Sequence, residues 1–263
     1  MKNILVVGSL GGMGYSLTNR LVKEGYNVFG LDIKDTCDIK DVHYYKCDIT
    51  SEESIRNAYS LIKDEIDTLD AIIDVAGIYI MDSLLEIEDK DLKRILDINV
   101  LGIQRVVKVF FPLLKKGSKI VITTSELSTL DPLPFNGIYT MSKSLLEKYI
   151  FSLRMEVNNF GIKVISFRPG AVKTNLLNDS TSSMDKMCEK TVIHKEQSKN
   201  FKHIVDSVES KSVSPDKVAS KLTKIIKKKH PKYVYRLNNN FALKLLNALP
   251  DRLQVKIISK IIK

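Results

Sequence analysis

Asn3-Ile4-Leu5-Val6-Val7-Gly8-Ser9-Leu10-Gly11-Gly12-Met13-Gly14 is the stretch that decides the fold. Its first five residues form a short apolar run with β-branched side chains, bounded by glycine, and read as a strand buried on both faces of a parallel sheet. A helix is expected from about Met13 to Lys23, ended by Gly25. Strand, glycine turn and helix in this order are what a dinucleotide pyrophosphate requires. Glycines let the backbone approach the phosphates, and the helix N-terminus offers free N–H groups and the positive end of its dipole. The next apolar run, Asn27 to Leu31, ends in Asp32, 18 residues after Gly14, where a carboxylate can accept hydrogen bonds from an adenosine ribose. The expected fold class is α/β, a doubly wound parallel sheet with helices on both faces.

Working outward, the next informative stretch is Tyr139-Thr140-Met141-Ser142-Lys143. Leu145, Leu146, Tyr149, Ile150 and Leu153 recur behind it at helical spacing. Residues four apart stack on a helix, which brings the Tyr139 hydroxyl near the Lys143 ammonium. A neighbouring cation favours the phenolate and lowers the tyrosine pKa, so that the phenol can serve as a general acid or base. Taken alone, Tyr-x-x-x-Lys is more often a surface pair than a catalytic one.

The glycine spacing G-x-x-x-G-x-G at Gly8, Gly12 and Gly14, together with Tyr139-x-x-x-Lys143, resembles the short-chain dehydrogenase/reductase superfamily from Met1 to about Thr174. The resemblance implies a Rossmann-type sheet of about seven strands and hydride transfer between a nicotinamide and an alcohol or carbonyl carbon. It implies that Tyr139, Lys143, Ser125 and Asn99 are catalytic. Ser125 precedes Tyr139 by 14 residues, and the neighbouring Glu126 cannot supply a neutral hydroxyl. Cofactor contacts are implied for Gly8, Ser9, Gly12, Met13 and Gly14 at the pyrophosphate, Asp32 at the ribose, and Asp48 and Ile49 at the adenine. Ala76 and Gly77 follow the fourth strand, and Pro169, Gly170, Val172 and Thr174 belong to the nicotinamide end, with Tyr139 and Lys143 also touching cofactor. NAD is expected rather than NADP, because Asp32 would repel a 2′-phosphate. The family's usual Asn-Asn-Ala-Gly is replaced here by Asp74-Val75-Ala76-Gly77. No cluster of His or Cys calls for a metal, and the three cysteines, Cys37, Cys47 and Cys188, form no paired framework.

The 263 residues are expected to form one domain, with a substrate lid over 175–214 and a basic amphipathic tail over 241–263. No apolar run reaches the roughly 18 residues of a membrane span, and the first residues lack signal-peptide anatomy, so a cytoplasmic location is expected. The net charge is +10, yet from Pro215 to Lys263 there are 13 Lys/Arg against Asp216 and Asp251, a net of +11. The basic character therefore belongs to the C-terminal fifth. It is interleaved with Leu and Ile and lacks any reader motif, which argues against nucleic acid. Leu246, Leu249, Leu253, Ile257 and Ile261 recur along the tail and are expected to pack on the body or a partner rather than on a membrane surface. A homodimer or homotetramer is expected, through Leu145, Leu146, Ile150 and Leu153 of one helix and Val106, Val107, Val109 and Phe110 of the preceding one. The substrate is expected to be a small-molecule secondary alcohol or ketone with a bulky hydrophobic body, steroid-, retinoid- or lipid-like. The alternative is a catalytically silent, dinucleotide-binding regulatory or scaffold protein of the same family.

Overall fold

The computed structural model describes residues 1–209 and 211–263, with side chains at all of these except 175–181 and 206–209. Its strands are β1 (Asn3–Val7), β2 (Asn27–Asp32), β3 (His43–Lys46), β4 (Leu69–Asp74), β5 (Leu114–Thr123), β6 (Lys163–Pro169) and β7 (Val234–Leu237). They form one parallel sheet of seven in the order β3-β2-β1-β4-β5-β6-β7. The helices are α1 (Gly12–Lys23), α2 (Glu52–Glu65), α3 (Asp89–Leu96), α4 (Ile103–Phe110), α5 (Gly137–Val157), α6 (Asn175–Lys190), α7 (Lys195–Glu209), α8 (Pro215–Lys227), α9 (Phe241–Leu246) and α10 (Asp251–Ile261).

Alternation along β1 divides the core in two. Ile4 and Val6 pack with Leu17 and Leu21 of α1 and with Val218, Leu222 and Ile225 of α8. Leu5 and Val7 pack on the other face with Ile55 and Ile62 of α2, Val106 and Phe110 of α4, and Leu146 and Ile150 of α5. Each such fully buried side chain contributes about 1.5–3 kcal/mol, which is why β1 is apolar on both faces from Ile4 to Val7. The chain winds from β1 outward to β3, then returns to β4 on the other side of β1. The crevice at this reversal, beyond the carboxyl ends of β1 and β4, is where open α/β sheets bind ligands.

Most of the segment 175–214 is helical, and two expectations need correction. α6 and α7 close on each other through Met184, Met187, Phe201 and Val205, over Met81 and Phe135; residue 210 and the side chains named above lie outside the described residues. Of the stripes expected to face a partner subunit, Leu146, Ile150, Val106, Val107, Val109 and Phe110 are buried in the chain's own core. Of the expected α5 stripe Leu145 stays exposed, and it forms an apolar face with Met141, Phe151 and Met155. In the tail, Pro250 does separate two helices. The residue that α10 buries, however, is Gln254, while Leu253 and Ile261 are exposed.

Candidate active site

The glycine turn is built by close approach. Gly8 has φ +79°, and its N–H and that of Ser9 both bond the Leu31 carbonyl, at 2.8 and 3.0 Å. A Cβ on Gly8 would lie 2.8 Å from Ala76 Cα, one on Gly12 2.6 Å from the Thr174 side chain, and one on Gly14 1.9 Å from Gly8 O. The turn is thereby pressed against the loop after β4, against Thr174 and against the first turn of α1, whose N–H groups have no intrahelical partner. Such a cradle fits a dinucleotide pyrophosphate. Asp32 closes β2 and draws the turn toward itself, accepting from Leu10 N at 2.8 Å and Lys34 N at 3.3 Å, while Lys34 Nζ donates to Leu10 O at 3.0 Å. Ser9 is turned inward, its hydroxyl buried near Gly30 without a partner among the described residues, so it packs the turn from behind. Asp48 accepts from Thr50 N at 2.9 Å and Thr50 Oγ1 at 2.7 Å, and Ile49 lies against Gly102.

The cleft beyond this cradle is lined by Met13, Ala76, Gly77, Ser125, Tyr139, Lys143, Pro169, Gly170, Val172 and Thr174, residues from five separate stretches of sequence. α5 delivers Tyr139 in its first turn and Lys143 one turn later. Ser125, at the end of β5, hydrogen-bonds Tyr139 and accepts from Leu127 N at 3.2 Å. Glu126 also lines the cleft, with Oε2 accepting from Asn240 N at 2.6 Å.

Electrostatically the pair differs from the sequence expectation. Burial pushes the Tyr139 phenol up to about 12, opposed only by the Ser125 hydrogen bond. Lys143 Nζ lies over the Tyr139 ring, 5.9 Å from its centroid, and donates to Thr123 O at 3.2 Å. Burial also pushes Lys143 below the ordinary lysine range, with the Asp74 charge resisting. Asp74, buried at the end of β4, is raised to about 7 by desolvation, against the pull of Lys143 and the Ala76 N–H. Its Oδ1 accepts from Ala76 N at 3.2 Å, so this carboxylate still shapes the turn after β4.

Asn99 sits in a π-helical turn, Asp97–Gly102, between α3 and α4. Widened turns of this kind recur at functional positions. Its amide clamps Ile78, accepting from Ile78 N at 2.8 Å and donating to Ile78 O at 2.9 Å, and reaches Ser142 Oγ at 3.2 Å. The loop carrying Gly77 is thereby fixed to the catalytic helix.

Several cleft residues were not anticipated. Tyr79 stacks on Tyr139 with centroids 4.0 Å apart and donates to Asn136 Oδ1 at 2.8 Å. Phe201 and Ile204 of α7 and Leu243 of α9 complete the apolar wall. Behind the site, Arg168 holds Glu147 by two bonds of 2.8 Å, and Thr124 and Ser166 each donate to the same carboxylate at 2.6 Å.

With the geometry in place, the chain can be compared with known proteins. Residues 2–185 match the short chain dehydrogenase family. The chain is 26% identical over 234 residues to 3-ketodihydrosphingosine reductase of Bacteroides thetaiotaomicron, covering 88% of this chain and 85% of that protein. It is 27% identical over 205 residues to mouse estradiol 17-beta-dehydrogenase 2, covering 73% of this chain and 54% of that one. A short chain dehydrogenase family protein from Francisella tularensis superposes with a TM-score of 0.74 at 24% identity, over 90% of this chain and 97% of the other. With the sheet order, the glycine cradle and the Ser125–Tyr139–Lys143 cleft all present, this chain belongs to the short-chain dehydrogenase family, as an alcohol/ketone oxidoreductase.

Proposed function

We propose that the chain interconverts a secondary alcohol and its ketone with NAD(H), on a substrate whose body is bulky and apolar. The observation that carries this reading is the cleft. Ser125, Tyr139 and Lys143 share its polar floor, while Ile78, Met81, Leu133, Phe201, Ile204 and Leu243 give it apolar walls. Two relatives named for a sphingoid ketone and for estradiol support the apolar preference. The bound nicotinamide supplies or accepts the hydride. Gly8, Gly12, Met13, Gly14, Asp32, Ala76, Gly77, Pro169, Gly170, Val172 and Thr174 would hold it.

Tyr139, kept protonated by burial, is equipped to donate its proton to a carbonyl oxygen as that carbon is reduced. The Ser125 hydroxyl donates to the same oxygen and stabilises the charge that develops there. In the oxidising direction the Tyr139 phenolate accepts the hydroxyl proton, with the Lys143 ammonium stabilising the phenolate. Asn99 holds the loop and π-turn beside which Lys143 exchanges its proton with solvent. Asp32 favours NAD, since a carboxylate accepts from a free 2′-hydroxyl and repels a 2′-phosphate. The working unit is one Rossmann domain with the α6–α7 lid, and its exposed α5 face makes it a homo-oligomer. Light scattering at the 29.8 kDa of one chain would disprove the assembly.

The test is steady-state turnover of NADH against steroid and long-chain ketones. Tyr139→Phe should lower kcat at least about 10²-fold with NADH affinity within a few fold, and wild-type turnover in that variant would refute the assignment. Asp74 in place of the usual Asn favours one other reading, a silent binder. NADH binding without turnover across the whole panel would select it.

A further inference from the structure

α10 carries two separate apolar rows. One turns toward the body. Ile258 and Ile262 face Pro132 and Pro134 across a groove, and Gln254 Nε2 donates to Asp131 Oδ2 at 3.0 Å and Leu249 O at 2.9 Å. The other row, Leu253, Ile257 and Ile261, runs along the side away from the groove, with Leu253 42% and Ile261 52% exposed and Ile257 half-buried. At 3.6 residues per turn, Arg252, Lys256 and Lys260 form a basic row beside it. α9 repeats the arrangement, with Phe241 78% and Leu245 60% exposed around Lys244. Residues 241–263 hold five Lys/Arg against Asp251.

More apolar side chains stand in solvent around the same groove. Leu84 lines it with Leu246 and Val255. Leu84, Leu85, Val192 and Ile193 are all exposed. They are gathered because Glu86 accepts from Val192 N at 2.8 Å and Ile193 N at 3.3 Å. Isolated exposed apolar residues are ordinary, but a patch of this kind rimmed by charge marks a contact surface.

We propose that the outer face of α9 and α10, with Leu84–Leu85 and Val192–Ile193, docks on a bilayer bearing anionic headgroups. The apolar row enters the interfacial region and the basic row meets the headgroups, as in helices that lie along a membrane. Charge selects this occupant. A two-fold contact between copies sets a patch against itself, opposing Arg252, Lys256 and Lys260 to their own counterparts. Nucleic acid would match the cations and leave the leucine and isoleucine row in water. Only a surface that is both anionic and apolar beneath satisfies both rows. Docking there would place the cleft mouth at the hydrocarbon boundary, because Leu243 of α9 lines the catalytic cleft and Leu133 lines both cleft and groove.

The test is sedimentation of the full chain, without cofactor or substrate, with vesicles of phosphatidylcholine alone or mixed with phosphatidylglycerol. Partition should favour the anionic vesicles at least about tenfold and fall with salt. Lys256→Glu/Lys260→Glu and Leu253→Ser/Ile261→Ser should each weaken it at least about tenfold. Both variants should keep wild-type mass in light scattering and turnover of a small water-soluble ketone. Wild type left in the supernatant with both vesicles overturns the proposal, as does binding that either variant leaves unchanged. A change of oligomeric mass in the Leu253→Ser/Ile261→Ser variant would make the face a contact between copies, and the proposal would fall. Because partition is read without turnover, its failure is distinguishable from failure of the hydride-transfer reading.

Discussion

Asp74→Asn should stabilise the protein, and by an amount that grows with pH. Asp74 is fully buried, and desolvation raises its carboxyl from 3.8 to about 7. A group whose folded pKa is raised contributes stability below its unfolded pKa and loses it as pH rises through the folded value. The cost of ionising Asp74 in place therefore accumulates between about pH 4 and pH 7. At 1.36 kcal/mol per unit, a shift of about 3 units amounts to about 4 kcal/mol above pH 7, of which about 2–3 kcal/mol develops between pH 5 and 8. Asn has the same shape, keeps an acceptor for Ala76 N and carries no charge to desolvate. The groups that sense the change are Lys143, which loses its counter-charge, and Tyr149, whose phenol Asp74 helps to raise. Urea denaturation of both proteins at pH 5, 6, 7 and 8 supplies the comparison. The difference in unfolding free energy should widen by about 2–3 kcal/mol across that range. A difference constant to about 0.5 kcal/mol would refute the account, since Asp74 would then titrate alike in the folded and unfolded chains.

Three further outcomes are expected. Wild type should show a higher kcat/KM with NAD than with NADP, and Asp32→Ala should narrow the ratio; an NADP preference in wild type would contradict the role given to Asp32. Gly14→Ala places a Cβ 1.9 Å from Gly8 O, so NADH affinity in a fluorescence titration should fall at least about tenfold, and unchanged affinity would show that the cradle tolerates displacement. Arg168→Met leaves the Glu147 carboxylate, which burial raises and Arg168, Ser166 and Thr124 together hold below its usual range, without its cation. Thermal unfolding near neutral pH should show about 3 kcal/mol lost, less in acid where Glu147 takes up a proton.

What the sequence revealed and what it withheld follow from the range of each interaction. The glycine turn between β1 and α1, and Asp32 at the end of β2, were legible because backbone approach and strand alternation are local. The spacing of Tyr139 and Lys143 was legible too, but its electrostatic consequence was not. Helical spacing places two residues on one face, whereas burial of both, the carbonyl of Thr123 and the opposing Asp74 come from distant strands. The lid helices left a faint signal in Met184-x-x-Met187 and Phe201-x-x-x-Val205, diluted by the Ser, Thr and Lys around them. In α4, α5 and α10 an apolar row announced a contact without saying with what. The sheet took the rows of α4 and α5, and in α10 the body took the neighbouring row through Gln254, Ile258 and Ile262.

The stacked phenols of Tyr79 and Tyr139 have a spectroscopic corollary. The chain contains ten tyrosines and no tryptophan, so no indole masks their near-ultraviolet signals. Tyrosinate absorbs to the red of tyrosine, and Tyr139 loses its proton only when something in the cleft offsets its burial. Difference absorbance on adding NAD would report that ionisation in the unlabelled protein. The Tyr139→Phe difference would assign the band to a single ring, giving an optical titration of the proton-transferring group itself.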